Sequence, residues 1–175
     1  MILRHGEKPP DDGPPHGIDA DGDKSEHSLT TTGWARAGAL VELFASARSA
    51  PPAGLLRPGR LYASQGDSKS RRPLETLTPL AARLGLTVDT SHAKADTAAL
   101  AADLRAAGGV ALVSWEHDAI PAIALALGTV TPPPPSEWPD DRFDLVWVLA
   151  ANGAGWTFAQ VPQQLLAGDS ADVIR

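Results

Sequence analysis

The amino-acid sequence predicts an α/β fold, with a mostly parallel central sheet, helices on both faces and an antiparallel strand pair near the C-terminus. Short apolar segments typical of strands alternate with helical segments, an order that favours parallel strands joined by crossover helices. The clearest buried strand, residues 110–113, is followed at once by an apolar helix. The last two apolar segments flank Asn152-Gly153, a dipeptide typical of hairpin turns.

Each element is predicted by its own local pattern. An apolar stub at residues 2–3 precedes a loop rich in Pro, Asp and Gly at residues 8–29. A helix is predicted over residues 31–46 from the apolar stripe that extends from Trp34 to Phe44. The remaining predicted elements are a strand at 61–63, a helix at 70–84 ended by Gly85, a strand at 86–88, a helix at 97–107, a strand at 110–113, a helix at 119–127, and strands at 145–150 and 156–161.

Length and composition exclude several classes of protein. With 175 residues and 43% hydrophobic content, the chain is predicted to form one domain spanning residues 1–175. The formal net charge of -6 argues against a nucleic-acid partner, because such proteins carry a basic surface. No apolar run is long enough to span a membrane, and no signal peptide fits before Arg4. The absence of cysteine is compatible with our expectation of a cytoplasmic location, while the oligomeric state is left open.

Three polar segments directly follow predicted strands, and they contain His5, Ser64 and His117. Ligands of open α/β sheets bind outside the carboxyl ends of the strands, so we expect the three segments to meet at one edge of the sheet. Arg4 and Arg72 belong to the same segments, and guanidinium groups match the geometry of phosphate oxygens. Two histidines and two arginines in one place indicate an enzyme that removes a phosphoryl group.

Four motifs stand in a characteristic order along the chain. They are Leu3-Arg4-His5-Gly6-Glu7, the segment at residues 29–37, Tyr62-Ala63-Ser64 with Arg72 and Thr76, and His117 after a strand. Arg-His-Gly alone is a weak signal, but the ordered set resembles the histidine phosphatase superfamily, also called phosphoglycerate mutase-like. The resemblance covers residues 3 to about 120 and implies a three-layer α/β/α sandwich.

The resemblance implies a role for each of four residues. His5 would be the nucleophile that becomes a phosphohistidine, and Arg4, Arg72 and His117 would bind the oxygens of the transferring phosphoryl group. No metal or other cofactor is implied, because the arginines and His117 supply the positive charge. Phosphoryl transfer spreads charge over three oxygens, so fixed positive donors are the main catalytic device it needs.

Each of these four residues also has an interpretation in which it takes no part in catalysis. Arg4 and His5 would be an exposed terminal pair, and His117 a histidine that caps the following helix. Arg72 would be one more solvated helix charge beside Arg71, although its spacing to Thr76 matches the family pattern. The later motifs favour the functional interpretation in each case.

The proton donor to the leaving group is the least defined part of the site. The glutamate that relatives place after the arginine helix is missing, and residues 87–96 offer Asp89, His92, Lys94 and Asp96 instead. Asp118 follows His117 as in the acid-phosphatase branch, but it is also well placed to be a helix N-cap, and we favour the cap. Glu7 and Glu116 are further candidates.

The expected substrate is a small phosphorylated metabolite or a phosphoprotein, with a phosphomonoester or a phosphohistidine as the reacting group. A substrate-recognition rim is predicted from Lys8, Ser64, Lys69 and Arg71, together with the inserted residues 65–70. Two alternatives remain: a catalytically weak phospholigand-binding or regulatory protein on the same fold, and a phosphotransferase of the mutase type. The chain is short and lacks an enclosing insertion, which favours the phosphatase.

The segment before Arg4 contains only Met1, Ile2 and Leu3, fewer residues than a typical strand. We therefore expect that any native residues upstream of Met1 would lengthen this strand and stabilise the fold.

Overall fold

The computed structural model describes residues 1–65 and 69–175, and within them the chain forms an α/β fold with a seven-stranded mixed sheet and four helices. The strands are β1 (Ile2–Arg4), β2 (Arg60–Ala63), β3 (Val88–Asp89), β4 (Ala111–Trp115), β5 (Val130–Thr131), β6 (Leu145–Asn152) and β7 (Gly155–Pro162). The helices are α1 (Thr31–Ala45), α2 (Arg72–Leu84), α3 (Thr97–Ala107) and α4 (Ile120–Ala126).

The strands are ordered β3-β2-β4-β1-β6-β7-β5 across the sheet. The neighbours β3, β2, β4 and β1 are parallel, whereas β6 is antiparallel to both β1 and β7. The short strand β5, which the sequence pattern did not predict, pairs with β7 in parallel. The sheet is therefore mixed, and its four neighbouring parallel strands are β3, β2, β4 and β1.

Two hydrophobic clusters fill the interior. One combines α3 and α4 with alternate strand residues such as Ile2, Val113 and Trp147. The other combines α1 and α2 with the intervening strand residues, including Leu3 and Leu112. Because successive side chains of a strand point to opposite faces of the sheet, each cluster belongs to one face. Among the described residues, no helix has the length and apolarity needed to cross a membrane.

Several element boundaries differ from the sequence prediction for local reasons. Helix α2 begins at Arg72 rather than at residue 70, with Pro73 in its first turn, and it ends at Gly85 in the left-handed conformation as predicted (φ 66°). Helix α4 begins at Ile120, and its N-cap is Ala119 with no side-chain hydrogen bond. The predicted N-cap role of Asp118 is therefore wrong, because the chain enters this helix through a turn and that turn puts Asp118 one residue too early.

Close backbone packing connects the loop after β1 to the start of α1. Thr30 caps this helix, with its Oγ1 accepting a hydrogen bond from the Gly33 amide at 3.2 Å. A Cβ atom on Gly33 would lie 2.7 Å from the Glu7 carbonyl oxygen, and one on Gly6 would lie 3.0 Å from the Gly33 carbonyl oxygen. Two glycines thus allow the Arg4–Glu7 segment to lie directly on the helix.

We expect Gly33→Ala to lower the free energy of unfolding by about 1–3 kcal/mol, because the added methyl group meets backbone that has no room to move. Gly38→Ala is the matched control: it lies in the same helix with no atom within 4 Å of its Cβ position, and alanine should stabilise it by up to about 1 kcal/mol. Urea denaturation of both variants provides the measurement. Equal effects would contradict the proposed close packing.

Candidate active site

His5 follows β1 directly and is almost completely buried, with 3% of its surface exposed. Its backbone amide donates to the Trp115 carbonyl of β4 at 3.0 Å. This hydrogen bond holds His5 beside the end of β4. Its Nδ1 lies 2.7 Å from the Gly6 carbonyl oxygen. A carbonyl only accepts, so Nδ1 carries the hydrogen, and the Nε2 of the neutral imidazole keeps its lone pair.

The groups predicted to surround His5 lie near enough to act on it electrostatically. Burial, together with the charges of Arg4, Arg72 and His117, lowers the pKa of His5 to about 3 against the opposing effect of its hydrogen bond to Gly6. The four residues come from different segments: Arg4 and His5 from β1 and its end, Arg72 from the start of α2, and His117 from the loop after β4. At neutral pH the imidazole is therefore uncharged and surrounded by cationic or proton-donating groups.

Stability should consequently depend on pH through His5. Its folded pKa is depressed to about 3, below the usual value of 6.5, so the unfolded chain binds more protons between these values. We expect this contribution to be fully favourable above pH 6.5 and lost on the way down to pH 3, at a cost of a few kcal/mol. Asn at this position cannot be protonated, so His5→Asn should flatten that part of the stability profile, measured by thermal unfolding at a series of pH values. Parallel profiles would show that His5 is not the titrating group.

Thr76 connects the nucleophile loop to the arginine helix. The Gly6 amide donates to Thr76 Oγ1 at 2.8 Å, and this hydroxyl donates to the Arg72 carbonyl at 2.7 Å. The four-residue spacing of Arg72 and Thr76 thus places the arginine at the start of α2 and the threonine one turn later, against the loop that follows His5. Arg72 itself is half-buried, its Nη1 donates to the Glu26 carbonyl at 3.3 Å, and its Nε has no hydrogen-bond partner among the described residues.

Arg4 is fully buried and contacts the loop between β5 and β6. Its guanidinium donates to the backbone carbonyl and to the carboxylate of Asp140, the latter at 2.9 Å, and stacks on the Phe143 ring at 3.9 Å from the ring centroid. The Phe143 ring also lies 6.4 Å from the imidazole of His5. The loop between β5 and β6 therefore forms one wall of the site.

Glu7 lies in a buried network rather than free at the site. Arg36 of α1 donates to both of its carboxylate oxygens, at 2.8 to 3.2 Å, and also to Asp169 at 2.7 Å and to Gln163 at 3.0 Å. Burial lowers the pKa of Arg36, but the hydrogen bonds and charges of Asp169 and Glu7 outweigh this effect, so the pKa is raised. Glu7 thus anchors the Arg4–Glu7 segment to α1 and to the C-terminal residues.

The other candidate acids are engaged as well. The carboxylate of Asp118 accepts from Lys94 Nζ at 2.7 Å. Desolvation raises the pKa of Asp118, but the hydrogen bond and charge of Lys94 outweigh it, so the pKa is lowered and the ionised form favoured. Glu116 accepts from the Ser64 hydroxyl at 2.7 Å. The charge of Glu116 also acts on Arg72, which places this Ser64–Glu116 pair beside the arginine.

The predicted rim residues are distributed around the site. Lys8 lies 3.7 Å from Asp140 and, with Arg72, lines a cleft of about 470 Å³. Other residues of this cleft are His16, Lys24, Asp12 and Glu26, which come from the long loop before α1. Lys69 and Arg71 are exposed next to α2, and residues 66–68 of the predicted rim lie outside the described part of the chain.

Within the described residues, no three His, Asp or Glu side chains lie close enough together to hold a metal ion. Sequence reasoning did not identify Asp140, Phe143 or Arg36. The first two lie in a loop more than a hundred residues from Arg4, and Arg36 is a charged residue inside an otherwise apolar helix face. Comparison of the chain with protein-family models and with curated proteins gave no match.

Proposed function

We propose that the protein is a metal-independent phosphatase that works through a covalent phosphohistidine on His5. The observation that carries this proposal is the state of His5: a buried neutral imidazole whose Nδ1 is held by the Gly6 carbonyl and whose Nε2 is left as a nucleophile among Arg4, Arg72 and His117. We also propose that the chain belongs to the histidine phosphatase superfamily with a phosphoglycerate mutase-like three-layer sandwich. The strand order and the two hydrophobic clusters support this assignment.

Catalysis would proceed in two displacements. In the first, Nε2 of His5 attacks phosphorus in line with the leaving oxygen, and the developing charge on the phosphoryl oxygens is stabilised by Arg4, Arg72 and His117. In the second, water attacks the phosphoimidazole and inorganic phosphate leaves. Burial supports the first step, because an imidazole with a pKa of about 3 is not blocked by protonation at neutral pH.

The cleft beside Arg72 supports a small or peptidic phosphorylated substrate. Its volume of about 470 Å³ suits a metabolite or one side chain of a phosphoprotein. Its lining contains both acidic and basic side chains, so the non-phosphate part of the substrate is expected to be polar. The localisation that goes with this proposal is the cytoplasm, and the proposed substrates include no nucleic acid and no membrane lipid.

The proposal is tested by hydrolysis of para-nitrophenyl phosphate with excess chelator present, combined with trapping of radioactive phosphate on the protein. The expected result is chelator-resistant turnover and a phosphoprotein that is labile to acid and stable to base, the signature of a phosphohistidine. Chelator-sensitive turnover would overturn the metal-independent mechanism. Tight vanadate binding without any turnover would instead favour a phospholigand-binding protein.

A further inference from the structure

The carboxylate of Asp140, in the loop between β5 and β6, lies close to two of the proposed phosphate ligands. The Oδ1 atom of Asp140 is 2.9 Å from Nη2 of Arg4 and 3.6 Å from Nε2 of His117. The same oxygen is 3.7 Å from Nζ of Lys8. One carboxylate oxygen thus faces three groups from two segments of the chain, the N-terminal segment and the loop after β4, and each group bears positive charge or donates protons.

The position of Asp140 relative to Arg4 is fixed by its own backbone. Arg4 donates to the carbonyl of Asp140 and, at 3.3 Å, to that of Pro139, while Phe143 packs on the same guanidinium. The carboxylate nevertheless remains accessible, since 65% of the Asp140 side chain is exposed whereas His5 is buried. In-line transfer places the leaving group opposite the nucleophile, so a leaving group would depart toward the solvent side, where Asp140 lies.

The other acids near the site are paired with groups that are not among the proposed phosphate ligands. Glu7 is held by Arg36, Asp118 by Lys94, and Glu116 by the Ser64 hydroxyl. Among the residues that the structure describes, Asp140 is the acid paired with both Arg4 and His117. A proton donor must lie within reach of the leaving group, and Asp140 meets this requirement through its closeness to two of the proposed phosphate ligands.

We infer that Asp140 is the general acid and base of the reaction, an inference that rests on the proposed phosphatase function. In the first displacement, the N–P bond to His5 forms as the P–O bond breaks. The electron pair of that bond goes to the leaving oxygen, which takes the proton of the Asp140 carboxyl group and departs as an alcohol. In the second, the Asp140 carboxylate removes a proton from water as the O–P bond forms and the N–P bond breaks, which returns the electron pair to the imidazole.

Substrate binding itself would protonate Asp140. In the free protein desolvation raises the pKa of Asp140, but Arg4, Lys8 and His117 outweigh it, so the pKa is lowered. A phosphoryl dianion bound to Arg4 and His117 cancels those charges and adds negative charge beside the carboxylate. The group then gains affinity for a proton at the moment when the leaving oxygen needs one.

The test compares Asp140→Asn with wild type on two aryl phosphates, one with a poor leaving group (phenyl phosphate) and one with a good leaving group (2,4-dinitrophenyl phosphate). We expect kcat/KM for phenyl phosphate to fall about a hundredfold or more, and that for dinitrophenyl phosphate to fall by less than about tenfold, because a good leaving group needs no proton. The neighbouring Asp141 is exposed, and Asp141→Asn is the matched control that should retain both activities.

Three results would overturn the role of Asp140. An equal loss on both substrates would show that it only supports the loop. If Asp140→Asn turned over both substrates faster than wild type and was inhibited more tightly by inorganic phosphate, Asp140 would be a competitor of the substrate for Arg4. If wild type turns over neither substrate and traps no phosphohistidine, the proposed function fails as well, whereas active wild type without a leaving-group-selective loss in the variant refutes the Asp140 role alone.

Discussion

Replacing His5 with alanine is expected to lower kcat/KM for para-nitrophenyl phosphate by at least about a thousandfold, because the variant lacks the proposed nucleophile. Arg4, Arg72 and His117 would remain as an anion site without a nucleophile. The variant should therefore still bind vanadate or inorganic phosphate, detectable by isothermal titration calorimetry. Trapping with radioactive phosphate should yield no labelled protein.

His92→Ala is the matched control for this experiment. His92 also lies after a strand, but its Nε2 pairs with Asp103 of α3 at 2.9 Å. This control should keep turnover within about threefold of wild type, the range usual for a residue that takes no part in chemistry. Full activity in His5→Ala, with folding verified by circular dichroism, would contradict the phosphohistidine mechanism directly.

Replacing Arg36 with methionine is expected to lower the free energy of unfolding by about 3 kcal/mol, the largest effect on stability that we predict. The Arg36 side chain is 4% exposed, and its two carboxylate partners, Glu7 and Asp169, are 20% and 6% exposed. Methionine fills much of the same volume but leaves these carboxylates without their counter-charge. Urea denaturation monitored by tryptophan fluorescence provides the measurement.

Two further variants separate charge from geometry at this position. Arg36→Lys keeps the charge but loses the planar fork that reaches both carboxylates, so an intermediate loss of stability is expected. Arg83→Met removes an exposed arginine from α2 and should change stability by less than about 0.5 kcal/mol. A loss in Arg36→Met no greater than in Arg83→Met would mean that the network does not stabilise the fold.

Local patterns explain why most of the element order could be predicted. The helix at Thr97–Ala107 has the predicted bounds because a run of alanine and leucine ends at paired glycines, and Gly85 ends α2 because glycine adopts a left-handed conformation without strain. The strand β5 was missed because two residues carry no periodic signal. The hairpin lies where it was predicted, but its two-residue turn is Gly153-Ala154 rather than Asn152-Gly153, with Gly153 at φ 61°.

The candidate site divides in the same way. The four residues of the proposed site lie at or after strand ends or begin a helix, so topology brings them together once the element order is known. Arg36 gave no such signal, because a charged residue on an apolar helix face is usually assigned to solvent. Asp140 gave none either, since it precedes its strand by several residues and meets Arg4 across a sequence separation of 136.

By itself, the sequence of this protein determined its α/β class, most of its elements and the residue types that favour phosphoryl chemistry, because these depend on local periodicity and on strand ends. Only the tertiary structure decided which nitrogen of His5 carries the hydrogen, which acids are already paired, and which carboxylate faces Arg4 and His117. Those properties depend on burial and on contacts between distant segments. A hydrogen-bond partner or a neighbouring charge alters the protonation of a side chain without leaving any periodic trace in the sequence.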